Sequence, residues 1–99
     1  MLESQIEKKF REMIESHGGR CYKWTSQGQA GVPDRIVLLP GGRISFVELK
    51  KPGGVVSKLQ RKQTSRLEAL GFDCYVVGLG GTEDIAKFER EVVGIDSTT

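Results

Sequence analysis

The feature that most restricts the fold of this chain is the tripeptide Pro40-Gly41-Gly42, which joins two short apolar runs at residues 35–39 and 43–47. Apolar runs bounded by Pro and Gly are typical of a β-hairpin. Pro40 suits the first central position of a type I turn, and Gly42 suits the left-handed residue that follows such a turn. The sequence therefore predicts a hairpin with a three-residue loop.

The register of this hairpin decides which charged side chains meet at its open end. A three-residue loop places Asp34 opposite Glu48, whereas a two-residue loop would move Glu48 to the far face. Lys50 lies two residues after Glu48 and therefore points to the same side. We favour the three-residue loop because four apolar side chains then share one face. They are Ile36, Leu38, Ile44 and Phe46.

Two opposed carboxylates, Asp34 and Glu48, are unfavourable on their own. Like charges about 4 Å apart repel by roughly 4 kcal/mol at an effective dielectric constant near 20. A divalent cation between them would turn this repulsion into an attraction. A site with oxygen ligands alone suits Mg²⁺. Lys50 beside such an ion would hold or polarise a phosphate or a water. The alternative interpretation is a solvated hairpin end with ordinary charges.

The motif residues resemble those of a known group of enzymes. Pro33-Asp34 followed by Glu48-Leu49-Lys50 is similar to the PD-(D/E)XK nuclease motif. With Gly31 before the proline and Gln60 after the lysine, the pattern resembles the VRR-NUC (virus-type replication-repair nuclease) domain over about residues 3–77. The resemblance implies an α/β, restriction-endonuclease-like core in the order α-β-β-β-α-β-α. Its sheet would be mixed and four-stranded, with helices on both faces.

The resemblance also implies a metal site. Asp34 and Glu48 would bind Mg²⁺ or Mn²⁺, and the backbone carbonyl of Leu49 would be a further ligand. In this family a glutamate of the first helix completes the site, often through water. We assign this role to Glu7, with Glu3, one helical turn earlier, as the alternative. The alternative for each of these two glutamates is an ordinary surface position with no role at the metal.

Lys50 and Gln60 are the remaining catalytic candidates. Lys50 would orient or deprotonate the attacking water, with the metal lowering the pKa of that water. The glutamine of the family lies at the active site, where it would hold the water or Lys50. However, residues 57–60 have the S-x-x-Q sequence of a helix capping box, so Gln60 has a structural role as its alternative.

A local excess of positive charge follows the motif. The formal net charge of +2 is too small to indicate nucleic-acid binding by itself. Its distribution is more informative, because a basic patch beside a metal site suits a polyanionic substrate. A solvated helix face is the alternative for each lysine. The predicted nucleic-acid-binding residues are Lys51, Lys58, Arg61, Lys62 and Gly31, the glycine by allowing close approach of the backbone.

Composition limits the remaining possibilities. The 99 residues, 37% hydrophobic and 28% charged, indicate one soluble globular domain, which we place at residues 1–93, with a disordered tail at 94–99. No apolar run approaches the roughly 20 residues that span a bilayer. With no secretory signal, we expect a cytoplasmic protein without membrane contact or organic cofactor. Cys21 and Cys74 are predicted to be reduced thiols, and a zinc site is not expected.

Periodicity and end signals predict the other elements. Apolar spacing indicates a helix over residues 3–17, and strands are predicted at 20–26 and 72–77. A second helix opens at residue 57 and ends at Gly71. Thr82 is predicted to cap a short last helix. The expected apolar face of the second helix consists of Leu59, Leu67 and Leu70.

The predicted function is a metal-dependent DNA endonuclease. The resemblance implies a homodimer that cuts branched DNA such as four-way junctions and acts in phage replication, recombination or repair. Tyr22 and Trp24 are the candidates for a dimer contact, and Trp24 has DNA stacking or core packing as alternatives. The competing functions are a non-catalytic nucleic-acid-binding module and a protein-interaction domain of the same fold.

Overall fold

The computed structural model describes residues 1–94, and its elements follow the predicted order. A turn of π-helix, Glu89–Val93, continues the last helix. The predicted tail falls outside the described residues except for Gly94. The elements are α1 (Glu3–Ser16), β1 (Arg20–Lys23), β2 (Arg35–Leu39), β3 (Arg43–Leu49), α2 (Lys58–Ala69), β4 (Asp73–Val77) and α3 (Thr82–Phe88).

The sheet is mixed and four-stranded, as predicted. Its order is β1-β2-β3-β4, with β1, β2 and β3 antiparallel and β4 parallel to β3. Leu39 pairs with Arg43 and Ile36 with Phe46, which confirms the hairpin register. The prediction of a type I turn is wrong, because Gly41 has a φ of +83° where that turn requires about −90°. The register is unaffected, since it depends on the number of loop residues.

One face of the sheet carries the main core. Ile6, Phe10 and Ile14 recur every four residues along α1, and all three are fully buried. Phe88 of α3 packs edge-on against Phe10, with ring centroids 5.1 Å apart, and against Tyr75 at the same distance. The sheet contributes alternate residues of each strand to this core. Its largest contributions are Val37, Leu39, Val47, Leu49 and Val77.

The opposite face is covered only in part. Phe46 lies at its centre, between Trp24 at 5.2 Å and Phe72 at 5.4 Å. Helix α2 packs on this side, mainly against β4. The predicted apolar face of α2 is wrong, because Leu59 is 44% and Leu70 is 74% exposed. A helix placed over the edge strand cannot bury a full apolar stripe against the sheet.

Some element ends differ from the predicted ones. Strand β1 stops at Lys23, although the Trp24 N–H still donates to the Asp34 carbonyl at 2.8 Å. Helix α1 ends one residue early, at Ser16, with His17 as its C-cap. Thr82 is not the cap of α3, because Gly81 occupies that position and no side chain caps the helix there.

The two cysteines are free thiols, as predicted. Cys21 faces the main core and Cys74 faces α2, so the sheet separates them. Burial raises the pKa of each thiol to about 11, which keeps both protonated at neutral pH. Within residues 1–94, no helix has the length and apolar character needed to cross a membrane.

Candidate active site

The open end of the hairpin brings Asp34 and Glu48 together. Arg35 pairs with Val47, which places Asp34 beside Glu48 on the neighbouring strand, as the three-residue loop predicted. The Leu49 N–H donates to Asp34 Oδ1 at 2.9 Å. The carboxylate thus accepts a backbone hydrogen bond just beyond the last residue pair of β2 and β3. The backbone therefore fixes the position of the aspartate.

Burial and mutual repulsion govern the charges of this pair. Burial raises the pKa of Asp34, against the opposing effects of the Leu49 N–H and the Arg35 guanidinium. The pKa of Glu48 is also raised, first by burial and then by the charge of Asp34, while Lys50 acts in the opposite direction. Two partly desolvated carboxylates that disfavour each other's ionisation are well suited to a cation.

Lys50 reaches the same side of the sheet. Its Nζ lies 3.6 Å from Glu48 Oε2, and both side chains are largely shielded from solvent. The hairpin register and the two-residue alternation of β3 place this ammonium beside the carboxylates.

Gln60 serves the helix cap and the carboxylate at the same time. Its backbone N–H donates to Ser57 Oγ at 3.1 Å, and its Oε1 accepts from the Ser57 N–H at 2.9 Å. Its Nε2 donates to Glu48 Oε2 at 3.1 Å. The two interpretations of Gln60 are therefore compatible, because they use opposite ends of one amide.

The two acidic candidates of α1 differ in their surroundings. Glu7 Oε1 lies 3.4 Å from Arg11 Nε, and its side chain is half-buried, whereas Glu3 is exposed. The charge of Glu3 adds to burial in raising the pKa of Asp34 and Glu48. Each glutamate precedes a buried core residue by three positions, Glu3 before Ile6 and Glu7 before Phe10, so both lie on the core side of the helix. The metal role of Glu7, with Glu3 as its alternative, stays a prediction.

The donor atoms fit a hard cation such as Mg²⁺ or Mn²⁺. Among residues 1–94 no group of three or more His, Cys, Asp or Glu side chains is close enough to hold a metal alone. Asp34 and Glu48 would supply two carboxylates, and the Leu49 carbonyl a further oxygen. Mg²⁺ usually keeps several waters and few carboxylates beside a phosphate, so an incomplete protein set is suitable.

The loop before the motif is held by α2. A Cβ at Gly31 would lie 2.7 Å from the Leu59 Cγ, so the close approach that needs glycine here is to α2. Gln63, the only buried residue of α2, donates to the Ala30 carbonyl at 3.2 Å and to Gln29 Oε1 at 3.4 Å. Sequence reasoning missed Gln63, although it lies three residues after Gln60 on the same helix side.

Arg35 is a second missed residue. Its Nη1 donates to the Asp34 carbonyl at 2.9 Å and lies 3.3 Å from Asp34 Oδ2. The guanidinium therefore orients the carboxylate that the Leu49 N–H holds from the other side. The available signal was the adjacency of the two residues in the sequence.

The predicted basic residues lie on the surface next to this site. Lys51, Lys58, Arg61 and Lys62 are exposed, and none forms an ion pair with a carboxylate of residues 1–94. Three of them belong to α2, whose Gln60 contacts Glu48. Positive charge that no neighbour neutralises is thus available beside the carboxylates.

A mixed sheet between helices, with Pro-Asp and Glu-Leu-Lys at the end of one hairpin, defines a PD-(D/E)XK-type fold. The VRR-NUC domain model matches residues 2–78, and the chain belongs to this nuclease family. The chain is also 44% identical over 75 residues to a protein of Acyrthosiphon pisum secondary endosymbiont phage 1 named "Putative nuclease p44". That match covers 76% of this chain and 81% of the phage protein.

Two solved structures support the same fold. A structure titled "VRR_NUC domain" superposes with a TM-score of 0.83 at 30% identity and covers 91% of this chain and 96% of its own. A "VRR_NUC domain protein" has a TM-score of 0.64 at 15% identity, covering 88% of this chain and 86% of its own. The second likeness shows the fold alone.

Proposed function

We propose that this chain is a Mg²⁺- or Mn²⁺-dependent DNA endonuclease that hydrolyses phosphodiester bonds. The observation that carries the proposal is the convergence of Asp34, Glu48 and Lys50 at the open end of the hairpin. A structural role for this group is a poor explanation, because burial and repulsion both oppose ionisation of the two carboxylates. Membership of a nuclease family supports the same conclusion.

Each site residue has a task in the proposed reaction. Asp34, Glu48 and the Leu49 carbonyl hold the cation, which when bound supplies positive charge and a lower pKa for a nearby water. Lys50 orients the attacking water as an ammonium, or accepts a proton from it as a neutral amine. The water oxygen bonds to phosphorus as the bond to the 3′ oxygen breaks, and that oxygen takes a proton from solvent. The protonated lysine neutralises charge that develops on the phosphate. The proposed products carry a 5′-phosphate and a 3′-hydroxyl.

Gln60 supports Glu48 in this scheme. Its Nε2 occupies one lone pair of Oε2, so the carboxylate keeps a fixed orientation while its other oxygen remains available. The capping box fixes the rotamer of the glutamine. Gln60 is therefore a positioning residue in the proposed mechanism, with the start of α2 as its support.

We propose branched DNA, such as a four-way junction, as the substrate. The unpaired basic residues of α2 lie beside the carboxylates and suit a phosphate backbone. The phage relative supports a role in phage replication, recombination or repair within the cytoplasm of a bacterial host.

A homodimer would give two sites for the two symmetric strands of a junction. The side of the sheet that α2 leaves uncovered exposes Tyr22 by 53% and Ile44 by 43%, which supports a contact surface there. We expect Ile44→Glu to convert a dimer into a monomer in sedimentation equilibrium and to leave the fold intact. Asp73→Lys, a charge reversal at an exposed residue of the edge strand β4, is the control. A wild-type protein that sediments as a monomer would contradict the dimer.

Cleavage assays test the proposed activity. Purified protein is incubated with plasmid, single-stranded, nicked, flap and four-way junction DNA, with Mg²⁺, with Mn²⁺ or with EDTA. We expect metal-dependent cleavage that Asp34→Asn and Lys50→Ala each reduce by about 100-fold or more. Lys87→Ala removes an exposed lysine of α3 and should cleave as the wild type does. Cleavage that persists in both site variants would overturn the assignment. Binding without cleavage would favour a nucleic-acid-binding module.

A further inference from the structure

The backbone of Lys50 contacts the last residue of β4 and the first residue of the loop that joins β4 to α3. Its N–H donates to the Val77 carbonyl at 2.9 Å, which extends the parallel pairing of the two strands by one residue. Gly78 follows directly, is buried, and has a φ of +119°. The catalytic lysine candidate therefore rests on a residue outside the recognised motif.

The contact between Gly78 and Lys50 leaves no space for a side chain. A Cβ at Gly78 would overlap the Lys50 carbonyl oxygen, and it would lie 2.9 Å from the carbonyl carbon and 3.1 Å from Ile6 Cγ2. Atoms this close must move apart, and Ile6 behind them belongs to the fully buried core. Any side chain at this position would consequently push the Lys50 backbone.

Asp84 holds the loop in this position. Its Oδ2 accepts hydrogen bonds from the Gly78 N–H at 3.0 Å and from the Gly80 N–H at 2.8 Å. One carboxylate oxygen thus fixes two backbone amides of the loop, which Asp84 reaches from the first turn of α3. Charge-assisted bonds of this kind are about twice as strong as neutral ones.

We propose that Gly78 and Asp84 are positioning residues that set the main chain of Lys50 and so aim its ammonium at Glu48 and the phosphate. This inference rests on the proposed nuclease function and extends it to the β4–α3 loop. The lysine must reach its target across a long side chain. A shift of about 1 Å at the backbone is enough to cost about 100-fold in rate.

Gly78→Ala is the primary test, and Gly71→Ala is its matched control. Gly71 also has a positive φ, +96°, but a Cβ there meets nothing within 4 Å. Both variants place an alanine at a positive φ, and only the first displaces Lys50. We expect Gly78→Ala to lower kcat by about 100-fold with KM for DNA nearly unchanged. Gly71→Ala should retain the wild-type kcat. Equal kcat values for the two variants would overturn the proposal.

A second pair of variants covers the case in which Gly78→Ala does not fold. Asp84→Asn keeps an oxygen that accepts from both amides, whereas Asp84→Ala removes it. We expect kcat to fall in Asp84→Ala and to recover in Asp84→Asn, with the Mn²⁺-induced rise in Tm retained in both, since neither touches Asp34 or Glu48. Loss of kcat in both variants, or in neither, would contradict the positioning role.

Amide hydrogen exchange separates this proposal from the proposed function. The Lys50 N–H should exchange slowly in wild type and in Gly71→Ala, and at least tenfold faster in Gly78→Ala or Asp84→Ala, because its bond to Val77 is loosened. If this pattern appears in a wild-type protein that cleaves no DNA, the nuclease proposal fails and the backbone support stands. Unchanged exchange in all variants would overturn the support.

Discussion

At the scale of single residues, Asp34 and Glu48 couple the stability of the fold to pH. Their pKa values are raised in the folded chain, mainly by burial, so the folded state binds protons more tightly than the unfolded state. Their contribution to stability is therefore fully present below the ordinary pKa values of 3.8 and 4.5. It is lost as the pH rises through the raised values.

The first prediction follows from the upward direction of these two pKa shifts. In EDTA, the wild type should lose stability relative to Asp34→Asn/Glu48→Gln as the pH is raised from about 4 to about 7.5. Mn²⁺ should reverse the order at neutral pH, stabilising the wild type by about 2.7 kcal/mol at a concentration 100 times its Kd. Thermal denaturation at each pH measures both effects. Parallel curves for the two proteins, or no response to Mn²⁺, would contradict the prediction.

The second prediction concerns the amide of Gln60. Gln60→Ala removes the bond to Glu48 and half of the capping box, so we expect kcat to fall by about 10-fold to 100-fold. Ser57→Ala removes the other half of the box, costs about 1 kcal/mol of stability, and leaves the amide beside Glu48. Comparing kcat and Tm of the two variants tests this. Equal losses of kcat would mean that Gln60 acts only through the cap.

Sequence information was sufficient for those site residues whose positions depend on the hairpin alone. Loop length fixes which residues oppose each other, so the sequence by itself predicts that Asp34, Glu48 and Lys50 lie together. The contacts of Gln63 could not be derived, because they depend on where α2 packs on the sheet. Both glutamates of α1 have acceptable helical spacing, so the choice between Glu7 and Glu3 stays open.

At the scale of elements, Arg43 joins the hairpin to the π-helical turn that follows α3. Its Nη1 donates to the Val92 carbonyl at 2.7 Å, and its Nη2 and Nε donate to the carbonyls of Val93 and Pro40 at 3.3 Å each. The carbonyls at the end of a helix have no partners within the helix. One guanidinium therefore satisfies two of these groups and ties the π-helical turn to the β2–β3 loop.

The third prediction is a loss of stability on removing this arginine. Arg43→Ala should lower the free energy of unfolding by about 1.5–3 kcal/mol. In a chain of this size that corresponds to a fall in Tm of about 5–15 °C. Arg43→Lys should recover part of the loss, because an ammonium cannot form the same fork. Arg66→Ala, an exposed arginine of α2, is the control, expected within about 0.5 kcal/mol of wild type. An unchanged Tm in Arg43→Ala would contradict a stabilising role for the bonds from Arg43 to the π-helical turn.

Elements with strong end signals were predictable, and elements governed by packing were less so. The capping box and Gly71 placed α2 correctly. Its leucines nevertheless remain largely exposed, because apolar spacing predicts a buried stripe only where a helix lies over the middle of a sheet. The early end of β1 has a similar cause, since the chain must leave the sheet to form the loop that packs on α2 through Gly31.

At the scale of the whole molecule, the two sides of the sheet have different tasks. The α1 and α3 side buries nearly all of the apolar core, whereas the α2 side carries the carboxylate pair and the unpaired basic residues. Stability and the proposed chemistry are thus largely separated, except at Gly78, where the core residue Ile6 and the backbone of Lys50 meet.

The fourth prediction concerns salt. If the basic residues of α2 contact phosphates, the logarithm of the DNA dissociation constant should rise linearly with the logarithm of the salt concentration. Arg61→Ala/Lys62→Ala should reduce that slope by about 2, that is about 1 for each lost contact. Lys87→Ala, on the other side of the sheet, should leave the slope unchanged. Fluorescence anisotropy in EDTA measures binding without cleavage. A slope unaffected by the double variant would remove α2 from the interface.

Gln63 is the only buried residue of α2, and this has a consequence for the mobility of the free protein. A helix with so little buried surface needs little free energy to detach, so its amides should exchange with solvent well before those of α1. Phosphates bound along its basic residues would slow that exchange and raise the order of the helix. The proposed substrate would then hold α2 against Asp34 and Glu48. In a DNA-free sample, α2 would be detached from the two carboxylates for part of the time.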